Sequence, residues 1–216
     1  NLVKEQIPEV LTYQVPINGL NYPKELLQIV SRNFKQNLSL ADLEKTKQYK
    51  APSQRKSSQE AFENLDDYLK SINIKLTFLI DDYDNVTRIS ELTRKTNQFN
   101  LTTKRYSDRD ISSFMDSINF KVISIRVEDK FGDNGWTGVV ILEKKDKIYS
   151  IDSFIMSCRI MGRKIEKSIT DYIFRAAIDN GIEKIEAFYF ETKKNVSLSH
   201  FYSNEGFEIV EEYENG

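Results

Sequence analysis

Cysteine is almost missing from this chain: Cys158 is the only one, so no disulfide can form within it. That usage suits a reducing compartment and sets the expectation of a cytoplasmic protein. Histidine is as scarce, and a single one, His200, is more often a surface or hydrogen-bonded residue than a catalyst. There is no apolar run of the ~18 residues that a membrane-crossing helix needs. The opening stretch NLVKEQIPEV has no signal-peptide core. Neither sign of charge is in excess: 31 basic and 33 acidic residues leave a net charge of −2 and a pI near 5.7. No overall positive field exists to draw in nucleic acid or an anionic membrane. Internal repeats and low-complexity tracts are absent. The chain does not begin with Met and opens inside an amphipathic pattern, which reads as a piece of a longer protein.

What remains is enough to fold. Hydrophobic residues make up 39% of the 216 and aromatics 12%, so a real core can be buried in one large domain or two small ones. Three of the four prolines, Pro8, Pro16 and Pro23, break up the start of the chain. A short strand is expected at Val10–Val15, then helices at Pro23–Asn33 and Ser39–Tyr49. Lys50–Gln59 is a polar linker or bend. A helix at Ala61–Ser71, a strand at Ile72–Ile80 and a helix at Asn85–Lys95 follow. Beyond them the pattern is β-α-β-β-β-α-β-α-β. Asn100–Arg105 is β-prone, Ser107 caps a helix to Asp116, and strands lie at Lys121–Glu128, Gly135–Lys144 and Lys147–Ile155. Gly162–Asn180 is a helix with Ile165, Ile169 and Ile173 on one face. Ile182–Phe190 is a strand, Ser197–Asn204 a short helix and Phe207–Glu211 a final strand.

Two segments carry chemistry. In Tyr149–Lys167, an apolar strand runs straight into a helix through SCRIMGRK. A helix N-terminus offers free N–H groups and a positive dipole end, which suit phosphate oxygens. Gly162 allows close approach, and Arg159, Arg163 and Lys164 add positive charge where a helix normally disfavours it. A solvated basic turn explains the same residues, and the turn alone does not decide. The second segment is KKNVSLSHFYSNEGF at Lys193–Phe207, where a phenol at Tyr202 could supply a proton to a departing thiolate. The competing reading makes Phe201 and Tyr202 core aromatics.

In this order these segments resemble the GNAT acyltransferase superfamily. Its acyl-CoA turn, (Arg/Gln)-x-x-Gly-x-(Gly/Ala), is matched by Arg159–Arg163, including Met161 and Gly162. Lys164 departs from it where the family has a small residue. Its later motif is matched by Asn195 and by Tyr202 to Gly206-Phe207. A closer resemblance, to the FkbH-like proteins, rests on RISELTRKTNQFNLTTKR at Arg88–Arg105 and on SCRIMGRKIE. Those proteins join a HAD-superfamily domain of subfamily IIIC to a C-terminal GNAT-like domain. The resemblance implies an α/β fold with a GNAT-like mixed twisted sheet at 97–216. Residues 1–96 would be the end of the HAD-like region and an inter-domain segment. It implies transfer of an acyl group, glyceryl among the options, on the phosphopantetheine of an acyl carrier protein or on CoA. Arg159, Met161, Gly162, Arg163 and Lys164 would hold the phosphates, Asn195 would orient the thioester or amide, and Tyr202 would be the general acid. Mg²⁺ would enter only with the upstream HAD domain, as the dephosphorylating partner in the same chain. The alternative is a docking module that positions a carrier protein without catalysis.

Three further residues, Cys158, Asp152 and Glu166, and one motif have chemistry of their own. Cys158 adjoins Arg159 and a helix N-terminus, both of which favour a thiolate able to carry an acyl group. A small buried residue is the plainer account. Asp82-Tyr83-Asp84-Asn85-Val86 fits the HAD nucleophile pattern, but aspartates in such turns commonly cap helices. Asp152 and Glu166 are both possible bases, and nothing in the sequence separates them.

Overall fold

A computed structural model describes residues 3, 6–7, 12–13, 16–33, 54–55 and 57–212. The helix expected at Ser39–Tyr49 lies outside them, and of Val10–Val15 only Thr12 and Tyr13 are described. The chain divides into two units, Asn1–Thr46 and Lys47–Gly216. In the first, helix α1 (Tyr22–Asn33) leaves Leu26, Leu27 and Val30 of its apolar face exposed.

The second unit is a mixed sheet between two helical layers. Its elements are α2 (Leu65–Ser71), β1 (Lys75–Ile80), α3 (Val86–Lys95), β2 (Phe99–Asn100), α4 (Asp108–Asp116) and β3 (Phe120–Asp129). Then come β4 (Gly132–Lys145), β5 (Ile148–Met156), α5 (Ile165–Asp179), β6 (Lys184–Ala187) and α6 (Phe201–Asn204). The sheet order is β1-β3-β4-β5-β2, antiparallel throughout, with β6 parallel to β5. β1 and α3, both upstream of residue 97, belong to this sheet and to one of its covering layers.

Local sequence explains most of these elements. α4 starts where Ser107 and Asp110 form a reciprocal capping box. α5 buries Ile165, Ile169 and Ile173, spaced four apart, against the sheet. Each such isoleucine contributes about 1.5–3 kcal/mol over an exposed one. On that face Ile123, Ile125 and Val127 of β3 meet them, as do Val140 and Leu142 of β4. The other face packs under Ile89 and Leu92 of α3 and Ile111 and Met115 of α4. The mixed sheet flanked by helices is the expected fold. One expected strand is missing: Phe207–Glu211 has no regular structure, and Ile209 and Val210 are exposed.

β5 contains one extra residue. Ile151 pairs with Leu142 and Ser153 with Ile141, so Asp152 has no counterpart on β4. A bulge of this kind bends a strand and tightens its twist. The pairing with β6 ends at the same point, at Ile151 and Ala187. Beyond it the two parallel strands part and leave a wedge.

Candidate functional site

The turn between β5 and α5 lies at the C-terminal end of β5. A single 3-10 turn at Cys158–Ile160 leads into it, and Ile160 is buried beneath. Gly162 sits at φ 74 and Lys164 at φ 55, ψ 21, both left-handed. Lys164 stands at the N-cap with no side-chain cap bond, so the first amides of α5 have no capping acceptor from that residue. A left-handed backbone favours glycine, which gives a physical sense to the small residue expected there. Met161 packs against the main core. Cys158 is exposed rather than buried.

The three cations differ in their freedom. Arg163 donates to Asp129 Oδ2 at 3.0 Å and to the Arg159 carbonyl at 2.6 Å. Asp129, with no side-chain exposure, also takes Arg55 in a two-pronged pair at 2.8 and 2.9 Å. Burial alone would raise the Asp129 carboxyl. The bonds from Arg55 and from the Phe131 N–H, with the charges of both arginines, outweigh it and hold the pKa below its ordinary value. Burial and the like charge of Arg55 pull Arg163 below its usual value, although guanidinium stays charged at neutral pH. Lys164 is paired with Asp66. Arg159 is exposed; among the described residues its guanidinium donates only to Ser157 Oγ, at 3.4 Å, and makes no ion pair. A carboxylate already stands at the turn: Glu166 Oε1 accepts from the Gly162 N–H at 3.3 Å. Sequence reasoning found the cations but missed Asp66 and Asp129. Their partners on the turn are 98 and 34 residues away, and no local pattern signals them.

The wedge is filled by the chain itself. β2 pairs with the free edge of β5, Phe99 opposite Met156 and Asn100 opposite Ile155. Leu101 spans the gap: its N–H reaches the Phe154 carbonyl at 3.4 Å and its carbonyl accepts from the Phe190 N–H at 2.9 Å. The bulge residue secures the next stretch. Asp152 takes Lys104 at 2.5 Å, the Tyr106 hydroxyl at 2.7 Å and Ser153 Oγ at 3.0 Å. Thr102 donates to the Asp152 carbonyl at 2.9 Å.

Asn195 is fully buried and its side chain is saturated inside the chain. Its Nδ2 donates to the carbonyls of Asn100 and Phe190, both at 3.0 Å, and its Oδ1 accepts from the Thr192 N–H and hydroxyl. It ties β2 to the stretch after β6. Tyr202 is the opposite case. Its ring packs on Phe201 and Phe207, while its hydroxyl is buried with no partner among the described residues. Burial pushes the phenol well above its ordinary pKa, so it keeps its proton at any working pH. His200 is exposed, just ahead of α6.

The Asp82–Val86 motif is a cap. Asp82 accepts from the Asp84 N–H at 3.2 Å and from Asn85 Nδ2 at 2.6 Å, closing the turn before α3. Among the described residues no three His, Cys, Asp or Glu side chains gather as a metal site. None of their helices is long and apolar enough to cross a membrane.

The architecture is that of the GNAT acetyltransferases. AAC(6')-Iy, in complex with the bisubstrate analogue CoA-S-monomethyl-acetylneamine, aligns at TM-score 0.50 and 10% identity, over 65% of this chain and 95% of that chain. A ribosomal-protein-alanine N-acetyltransferase from Brucella melitensis biovar Abortus 2308 aligns at 0.49 and 12% identity, over 65% and 96%. Spermidine N-acetyltransferase from Vibrio cholerae aligns at 0.45 and 15%, over 65% and 84%. At such identities the likeness concerns the path of the chain and not its chemistry. No protein-family model and no curated protein matches this chain.

Proposed function

We propose that this chain carries the GNAT-like domain of an FkbH-like protein, handling an acyl thioester on the phosphopantetheine of an acyl carrier protein or CoA. The observation that carries the reading is the strand-to-helix turn at Ser157–Lys164, at the end of β5 and beyond the point where its pairing with β6 stops. There the exposed Arg159 is the group best suited to receive a phosphate, and the Gly162 N–H joins it once the anion replaces the Glu166 carboxylate that it now meets at 3.3 Å. Arg163 and Lys164 shape the turn and add to its positive field. Cys158, exposed on the same turn, is within the chain's means as a transient acyl carrier. Tyr202 keeps its proton, but the burial that raises its pKa opposes giving it up. The general-acid role therefore requires the bound thioester to reach the hydroxyl and supply the partner it lacks among the described residues. The phosphatase step and its Mg²⁺ would belong to a HAD domain upstream; the part of residues 1–96 that leads from it would lie ahead of β1, since β1 and α3 are built into the sheet unit.

Calorimetry with CoA and with holo carrier protein tests the reading. Both should bind, and Arg159→Ala should weaken them by about tenfold, the worth of one charge-assisted hydrogen bond. Absence of heat with either ligand would sink the proposal.

A second reading, a carrier-protein docking module without catalysis, draws on a specific observation. Two of the three turn cations are engaged by Asp129 and Asp66, and the wedge holds the chain's own segment. Tyr202→Phe separates the two. A docking module keeps full function in that variant, whereas an acyltransferase loses turnover and keeps binding.

A further inference from the structure

An arm anchored at the turn has one strand edge along which to run toward the centre of the sheet: that of β5 beyond the bulge. A phosphopantetheine arm contains two amides, and it can line an open strand edge much as an added strand does. That edge is taken. Leu101 uses the Phe154 carbonyl on one side and the Phe190 N–H on the other. The strap and the arm would compete for the same backbone groups.

We infer that the segment Asn97–Arg105 is a displaceable strap seated in the arm's place, and that Asp152 is the positioning residue that latches it. The inference rests on the proposed function. Only two residues of the segment form strand ladder, at Phe99 and Asn100. Phe99 anchors one end between Phe154 and Phe201. The other end is held by polar bonds: Lys104 and the Tyr106 hydroxyl reach the Asp152 carboxylate, Thr102 donates to the Asp152 main-chain carbonyl, and Arg105 donates to the Arg94 carbonyl and to Asn97. Between the two ends Thr103 stands at φ 58, a left-handed conformation that a threonine holds only when its surroundings enforce it. Leu101 and Thr102 are buried and Leu101 belongs to the main core, so opening has to lift Leu101 out. The short ladder, the strained Thr103 and the Asp152 carboxylate that holds Lys104 confine that opening to this segment and leave the rest of the sheet in place. Opening starts at the Leu101–Arg105 end and exposes the β5 edge while Phe99 stays in place.

Hydrogen exchange and ligand binding on the same samples test this. In the wild type, the Leu101 and Phe190 amides should exchange much faster than that of Val140 at the sheet centre. Asp152→Asn should accelerate both by about tenfold, the loss expected for a charge-assisted bond, and tighten CoA binding by a similar factor. Lys104→Gln, changed on the strap itself, should act in the same direction. For closure, Thr102→Cys with Ser153→Cys, in a Cys158→Ser background, joins two side chains whose hydroxyls lie 3.5 Å apart within the stretch that opens, a separation that suits a disulfide. The oxidised form should not bind CoA or 4′-phosphopantetheine, and the same protein after reduction should. Equal binding by both forms overturns the inference. So does Leu101 exchange as slow as that of Val140 in wild type and variants, which would make the strap a permanent strand. Silence toward both ligands in every form overturns the proposed function instead, and Leu101 exchange still decides the strap.

Discussion

At the residue scale, Tyr202 and Asp129 are opposites. Tyr202 has a buried hydroxyl with nothing to bond among the described residues. An unsatisfied buried polar group costs about 1–3 kcal/mol, so Tyr202→Phe should stabilise the protein by about 1 kcal/mol. Thermal melting checks this. If the hydroxyl is a general acid, the same variant should lose turnover by about 10²-fold, and the molecule would be more stable and less active at once. A lower melting temperature would show that the hydroxyl has a partner. Asp129 is buried and doubly bonded to arginine. Its folded pKa lies below the ordinary carboxylate value, so its stabilisation is complete above about pH 3.9. It is lost as the pH falls through the lower folded value, because the unfolded chain takes up the proton first. Asp129→Ala should cost about 3–5 kcal/mol near neutrality by stranding two guanidinium groups. The gap between wild type and variant should narrow in acid-unfolding curves below about pH 4.

At the element scale, the turn before α5 was legible in part. Its place between a strand and a helix follows from the apolar run into SCRIMGRK, and the helix from the spacing of Ile165, Ile169 and Ile173. The fate of its charges was not legible, because Asp129 and Asp66 reach it through the tertiary fold. The reach of β2 was also hidden: two residues of ladder are too few for a period to show. Phe207–Glu211 alternates like a strand, yet its residues find no ladder to join. Lys164 provides the test at this scale. Its φ of 55 costs a non-glycine residue about 1 kcal/mol, which Lys164→Gly should return to the folded state. Denaturant unfolding should show a raised midpoint, with the loss of the exposed Asp66 pair contributing little against it. A lowered midpoint would mean that this pair matters more than the backbone strain.

At the scale of the whole molecule, composition and pattern were enough for the fold class, since helix and strand periods differ plainly over most of residues 61–190. What they could not supply was the meeting of distant parts. Phe99, Phe154 and Phe201 come from three separate stretches and form one cluster with centroids 5.2–5.4 Å apart. Phe154 has no exposure, and Phe154→Ala should cost about 3–5 kcal/mol through the cavity it leaves. Domains of this kind have about 5–15 kcal/mol in total, so the variant should melt many degrees lower and lose the strap's anchor with it. A fall of only a degree or two would mean that the three rings do not form the joint of the sheet.

The extra residue in β5 also governs what comes after it. Side chains of a strand alternate, so one inserted residue reverses the parity of all that follow. Before Asp152, odd-numbered Tyr149 and Ile151 point under α5; after it, even-numbered Phe154 and Met156 do. Odd-numbered Ile155 goes to the opposite layer, beneath α3 and α4. An alanine at position 152 would keep this count and lose only a carboxylate. Deleting the residue would turn Phe154 and Met156 over to the wrong layer, so the shortest possible deletion should disrupt packing on both faces of the sheet.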